Sequence, residues 1–289
     1  MRALTLLIPI ALMTLASTAN AEILPEAEVG IKIPMVKKPT TRPFTVAHIP
    51  GFKRYYIADG GLAPMGSETE APYSKSQIHA YDEDGKYVNS SRPGYDNRSI
   101  YYNSNTHQLE TVTYNISSDL GFAPNSGIFS IHLTESGELK DSSDEISQFN
   151  PAFGDSATIP SYDAEHKRYY AKQAHGNNVF IVDPNSREKT GVITLELDKA
   201  GAAHDDVSES FIAYTAVKGE EFALLDVDHK AVLLFDITGK YVGKSALPKT
   251  LKLRANNHYT GLGYANQMLF VFHEPEGEFG TYYGFKIQK

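Results

Sequence analysis

The sequence predicts an all-β protein, a β-propeller of five four-stranded blades whose ring is closed by a strand from the N-terminal segment. Three observations carry that prediction. A turn motif returns about every fifty residues, a hairpin opening is repeated almost word for word, and no apolar pattern holds a 3.6 period over the length of a helix.

The turn is written Tyr81-Asp82-Glu83-Asp84-Gly85-Lys86-Tyr87-Val88 and again Phe235-Asp236-Ile237-Thr238-Gly239-Lys240-Tyr241-Val242. Leu133-Thr134-Glu135-Ser136-Gly137 and Val182-Asp183-Pro184-Asn185-Ser186 hold the same place, and Phe285-Lys286-Ile287 marks a fifth. The steps between Tyr81, Leu133, Val182, Phe235 and Phe285 are 52, 49, 53 and 50 residues. The hairpin is Phe52-Lys53-Arg54-Tyr55-Tyr56, repeated as His166-Lys167-Arg168-Tyr169-Tyr170, with related openings at Gln108-Leu109, Glu221-Phe222 and Gln267-Met268. A unit therefore reads as strand, hairpin, strand, variable loop, strand, Asp/Gly turn, strand. A β-sandwich would share the short strands but has no need of turns that copy one another.

Along the chain, residues 1–21 read as a signal peptide. Arg2 gives a positive start, Leu4 to Leu15 an apolar run too short to stay in a bilayer, and Ala19-Asn20-Ala21 a small-x-small cleavage pattern. Residues 22–43 form a lead-in rich in Pro and Lys, with a spare strand at Ile31 to Val36. Residues 44–289 form the propeller domain, with its clearest strands at Phe44 to Ile49, Phe222 to Asp226, Ala231 to Phe235 and Met268 to Phe272. The last unit stops after its third strand. The spare strand is therefore expected beside Tyr282 to Ile287, where it would satisfy an otherwise open backbone edge.

Through the Tyr/Phe-Asp-x-x-Gly-Lys-Tyr-Val turns and the Tyr162 to Tyr170 hairpin, residues 44 to 287 resemble the broad class of NHL-like and YVTN-like propeller repeats. The resemblance implies blades around a channel. Its motifs are structural, so it implies no activity, and its usual units of about forty residues are shorter than those here.

The chain has no cysteine, so packed apolar area must stabilise it without disulfides. For an exported protein this favours a Gram-negative periplasm, with secretion as the alternative, after cleavage between Ala21 and Glu22. The Asn-x-Ser triplets at Asn89, Asn97 and Asn115 are then chance matches. A formal net charge of −8 disfavours nucleic acid and anionic membranes as partners and suits a cation, a neutral ligand or another protein. No second apolar run is long enough for a membrane span. Gly-x-Ser-x-Gly, His-Glu-x-x-His and phosphate-cradling loops are missing, and neither a nucleotide nor a flavin is expected.

Chemistry on a propeller belongs to the loops that enter the first strands and those that join second to third strands. The inlet loops here carry Tyr95-Asp96-Asn97-Arg98, Gly154-Asp155-Ser156, Ala203-His204-Asp205-Asp206 and Ala255-Asn256-Asn257-His258. Oxygen donors in a ring suit a hard cation, which makes Asp155, Asp206 and Asn257 candidate ligands for Ca2+ or another divalent ion. The same residue types also build ordinary Asx turns. His204 and His258 are candidate proton carriers, and Asp59, Asn97, His175 and His273 candidate ligand contacts; a lone histidine more often caps or faces solvent. The long loop Gly60 to Ser76 and the acidic loop His273 to Glu278 would border the same mouth, as lid, recognition surface or plain insertion. The sequence thus points to an exported propeller that binds a small molecule or an envelope protein at the channel mouth. The alternatives are a metal-dependent hydrolase of lactonase or esterase type with an axial divalent-cation site, and an interaction module with no small-molecule site.

Overall fold

The computed structural model describes residues 22–37, 43–60, 76–93, 97–113, 127–148, 152–155, 157–273 and 279–289. Residues 1–21, the interior of the long loop at 61–75, Tyr95 and Asp96, Asn115, Ser156 and the acidic stretch 274–278 lie outside the described residues.

The fold is all-β and propeller-like. Strand β1 spans Ile23–Pro34. A first sheet follows, made of β2 (Pro43–Ile49), β3 (Arg54–Asp59), β4 (Gln77–Asp82) and β5 (Tyr87–Ser91) in sequence order. The second holds β6 (Ser99–Asn103), β7 (Gln108–Thr113), β8 (Gly127–Leu133) and β9 (Leu139–Gln148), and the third β10 (Ser161–Asp163), β11 (Arg168–Lys172), β12 (Asn178–Asp183) and β13 (Glu188–Thr194). A one-turn helix α1 (Leu197–Ala200) leads to β14 (Ala213–Tyr214), β15 (Phe222–Asp226), β16 (Ala231–Phe235) and β17 (Tyr241–Ala246), the fourth group. The fifth comprises β18 (Leu262–Ala265), β19 (Met268–His273) and β20 (Thr281–Gln288).

β1 joins these last two groups. It runs antiparallel to β20, with Ile31 opposite Gly284, Ile33 opposite Tyr282 and Pro34 opposite Thr281. It also meets β17 in parallel, Glu26 opposite Ala246, so eight strands form one sheet in the order β14-β15-β16-β17-β1-β20-β19-β18. The strand is longer than the sequence suggested. It starts at Ile23 and ends before Val36, with two irregularities of register that let one strand follow a twisting edge.

The recurring turn has one geometry wherever its glycine is kept. In the first sheet Asp82 accepts from Asp84 N and Lys86 N through Oδ1, and in the fourth group Asp236 accepts from Thr238 N and Lys240 N in the same way. Gly85 and Gly239 occupy the left-handed region at φ 77° and 88°. A second reason for glycine lies across the gap to the neighbouring group. A Cβ on Gly85 would come within 2.5 Å of Lys32 O on β1, and one on Gly239 within 2.5 Å of Thr194 O on β13. The motif is thus a contact between neighbouring groups as well as a chain reversal.

The tyrosine pairs of the repeated hairpin hold each sheet to both neighbours. Because side chains alternate across a strand, consecutive tyrosines face opposite sides. Tyr55 faces the fifth group, where its hydroxyl accepts from Asn266 Nδ2 at 2.8 Å and its ring packs on Phe270. Tyr56 faces the second sheet and donates to Gly137 O at 2.7 Å. In the third sheet Tyr169 meets Tyr101 of the second, hydroxyl to hydroxyl at 2.6 Å, while Tyr170 packs edge-on against Phe222 of the fourth group. All four tyrosines are at most 2% exposed. Such rings supply large apolar burial and a hydrogen bond that only one register satisfies.

The first strands converge in sequence order. β2 packs on β6, β6 on β10, β10 on β14, β14 on β18, and β18 on β2. Hydroxyls tie one to the next: Thr45 Oγ1 accepts from Ile100 N and donates to Arg98 O, Ser99 Oγ donates to Pro160 O, and Ser161 Oγ to Ile212 O. Between β18 and β2 the approach is closer, and a Cβ on Gly263 would lie 2.5 Å from Val46 N.

Gly239→Ala is expected to cost more than Gly201→Ala, which has the same left-handed backbone but nothing within 4 Å of the added carbon. Denaturant titration should give about 1 kcal/mol for Gly201→Ala, from backbone strain, and about 2–4 kcal/mol for Gly239→Ala, where strain and overpacking add. Equal losses would show that the turn contributes nothing beyond its own conformation.

Candidate functional site

Within each antiparallel group the start of the first strand and the link between second and third strands fall at the same end. The ends coincide between neighbours as well, since Ile159 and Phe211, just ahead of β10 and β14, pair in parallel. Inlet loops and second-to-third-strand loops therefore share one mouth. Just inside, the first strands enclose a cavity of about 60 Å3 lined among others by Thr45, Ser99, Tyr101, Tyr162, Tyr214 and Tyr264. The Tyr264 hydroxyl is buried there without a hydrogen-bond partner among the described residues, and burial pushes its pKa well up. A cavity of this size has room for ordered water.

At the rim, three groups of strands bring together side chains that are far apart in sequence. Lys172 ends β11 at 1% exposure, and its Nζ donates to the carbonyls of Gln173 and Gly176, both at 2.7 Å. Burial pushes its pKa down to about 8, against the opposing pull of Glu209 and Asp155. The loop it caps raises His175 to the tip at φ 54°. Glu209 comes from the inlet of β14, is 8% exposed, and is fixed by its N–H, which donates to His258 O at 2.8 Å. His175 Nδ1 stands 3.8 Å from Glu209 Oε2. Tyr259, on the inlet of β18, lies close enough for the charge of the Glu209 carboxylate to raise its phenol pKa, with a smaller push from Asp205. The ring of Tyr259 remains 49% exposed.

Several residues singled out from the sequence border this cluster. Asp155 acts on Lys172, although its Oδ1 accepts from Ala157 N at 2.8 Å in a local turn. His258 bonds Val207 O through Nδ1 at 3.0 Å and reaches Asp228 with Nε2 at 3.4 Å, while His204 pairs with its neighbour Asp205 at 3.0 Å. Others hold the scaffold. Asp206 Oδ2 accepts from Ala203 N, and Asn257 spends Oδ1 on Arg254 N and Nδ2 on Phe272 O. His273 bonds Lys252 O through Nδ1. Asp59 and Asn97 are fully buried: Asp59 binds His79 Nε2 at 2.9 Å, with His79 Nδ1 on Ser90 Oγ at 2.7 Å, and Asn97 donates twice to Ser76 Oγ. Side chains so placed stitch strands together and do not face solvent.

Asp155 and Asp206 each use one carboxylate oxygen on a nearby backbone N–H, and Asn257 uses both atoms of its amide on backbone groups. Among the described residues, no group of three or more His, Asp and Glu could hold a metal ion. Lys172, Glu209 and Tyr259 were not singled out from the sequence. The signal for Lys172 was a lysine closing a strand with both faces buried; for Glu209 it was an acid in the inlet four residues ahead of β14.

No known protein family and no curated protein matches the chain. Among solved structures, the glutaminyl cyclase of Myxococcus xanthus aligns over 92% of this chain and 98% of its own, with 10% identity and a TM-score of 0.52. A protein of unknown function from Bacteroides thetaiotaomicron aligns over 77% of this chain and 49% of its own, at 10% identity and a TM-score of 0.41. A chain of the nidogen/laminin complex aligns over 76% and 91%, at 14% identity and 0.37. The first likeness shows a shared propeller-like fold and nothing of chemistry. Among the described residues no helix is long and apolar enough to cross a membrane.

Between about pH 8 and its ordinary 10.5, Lys172 is protonated in the unfolded chain and largely neutral in the fold. The unfolded state then binds more protons, so stability contributed by this group rises with pH across that window, by about 3 kcal/mol in full. Denaturant titrations at pH 7.5 and 9.5 should show the rise in the wild type and its loss in Lys172→Met. Above about pH 10 the buried tyrosines act with the opposite sign, which sets the upper limit of the measurement.

Proposed function

We propose that this chain is an exported, five-bladed β-propeller that binds a small molecule at the rim around Glu209. Five blades are supported by the cycle of first-strand contacts and by β1, which fills the fourth place in the fifth group. Export to a periplasm, or secretion, rests on the signal-like residues 1–21 and the lack of cysteine.

One observation carries the binding role: Glu209, nearly buried at the inlet of β14, has His175 of the third group 3.8 Å from its carboxylate and its own N–H on His258 O of the fifth group's inlet. A buried lysine and a nearly buried carboxylate are costly to stability, and such groups concentrate where ligands are handled. Loops held at both ends by rigid sheets can meet a ligand with little ordering cost. For the metal-dependent hydrolase, the three candidate ligands each have polar atoms already taken up by backbone groups.

Thermal-shift screening of a small-metabolite panel and of divalent cations should give hits that Glu209→Gln removes. Hits that persist unchanged in that variant, or a panel with none, would overturn the site. For ring closure, deletion of residues 22–37 is expected to lower the melting temperature by more than 10 °C and to broaden the transition, since the fifth group loses an edge and its link to β17. A deletion variant melting as sharply and as high as the parent would refute closure by β1.

A further inference from the structure

We propose that the axial cavity enclosed by the first strands is a binding site for a small uncharged carbonyl compound, a ketone or an aldehyde, whose oxygen accepts from the Tyr264 hydroxyl. All five groups of strands build this cavity, through Val46 of β2, Ile100 of β6, Tyr162 of β10, Tyr214 of β14 and Tyr264 of β18. It is separate from the rim around Glu209 and does not depend on it.

Tyr264 gives the cavity an unmet donor. Its hydroxyl is buried without a hydrogen-bond partner among the described residues, so it has given up water and gained nothing in exchange. The hydroxyls around it are committed: Thr45 donates to Arg98 O, Ser99 to Pro160 O, Ser161 to Ile212 O, and Tyr101 to Glu110 Oε2. Their protons are spent on the scaffold.

The walls select what can meet that donor. Among the described residues no charged side chain and no histidine lines the cavity, so an ion would lose its hydration there without a counter-charge. Val46, Ile100 and the tyrosine rings present mostly carbon, which suits a flat and largely apolar molecule. A water or an alcohol brings an O–H of its own and needs a further acceptor. A ketone or aldehyde brings an acceptor alone. The volume of about 60 Å3, room for about two water molecules at their liquid density, limits the occupant to about four heavy atoms.

Acetone is the probe, and acetate, of nearly the same shape but charged, is its control. Titration followed by NMR of the tyrosine ring resonances should give saturable shifts at Tyr162, Tyr214 and Tyr264 with acetone and none with acetate. Tyr264→Phe removes the hydroxyl and keeps the ring. It should weaken acetone about fivefold, read at Tyr162 and Tyr214, while the melting temperature stays the same or rises because an unmet polar group is gone. Absence of a saturable shift in the wild type means that the cavity takes water only and overturns the proposal. Equal binding of acetone by Tyr264→Phe, or binding of acetate as tight as that of acetone, overturns it as well. A lower melting temperature in Tyr264→Phe shows that the hydroxyl already has a partner in the unliganded protein, and the assignment of its role falls. Since the rim is read by Glu209→Gln and the cavity by Tyr264→Phe, failure of one site is told apart from failure of the other.

Discussion

The fold depends on tyrosines that look both ways from a single strand. A four-stranded sheet has two faces to cover, and in the first and third sheets consecutive tyrosines send one ring to the preceding group and the other to the following one; the hydroxyls of Tyr55, Tyr56 and Tyr169 cross with their rings, while that of Tyr170 bonds Asp163 in its own sheet. Each hydroxyl bond can be met in only one register, so relative placement is specified along with the burial. Dispersion alone would tolerate sliding. Bonds from Tyr56 to a turn carbonyl and from Tyr169 to Tyr101 do not.

That constraint reaches the rim through very few covalent links. Lys172 follows Tyr169 and Tyr170 with only Ala171 between, so the strand that the tyrosines lock is the strand that aims the amine. Glu209 is fixed in a similar way from the other side, by backbone bonding to His258 immediately before Tyr259. The distances at the rim therefore follow from sheet packing and not from loop choice. This also explains how a buried lysine with a lowered pKa survives: its surroundings are too well determined to move aside.

Much of the architecture was legible in the sequence because its signals are local. The Asp/Gly turns, the Lys-Arg-Tyr-Tyr hairpins and the truncated last unit each report on fewer than ten neighbouring residues, and together they mark groups of strands and an open edge. The partners of those signals were not legible. Nothing in the string shows that Gly239 faces Thr194 or Gly85 faces Lys32. The rim was read only in part for the same reason. Asp206 and Asn257 carry the right atoms for a cation, but their nearest donors and acceptors are backbone groups a few residues away or across a hairpin, so turn chemistry claims them first. Asp59 was placed at the mouth by its position in the repeat, yet its carboxylate is buried and bonded to His79 on the neighbouring strand β4. Glu209 and Tyr259 are fifty residues apart and become neighbours only when two inlets meet.

The pairing of β1 with β20 sets a condition on how the molecule is made. Ile23 lies opposite Gln288, so one of the first strands to be synthesised has its antiparallel partner among the last. Contacts that span the whole chain are slow to form and leave a long interval with an unpaired edge. A ribosome that stalls, or a protease that trims the final strand, would leave β1 without that partner. The seam therefore forms only once both strands are present in one chain, however far apart along it they lie.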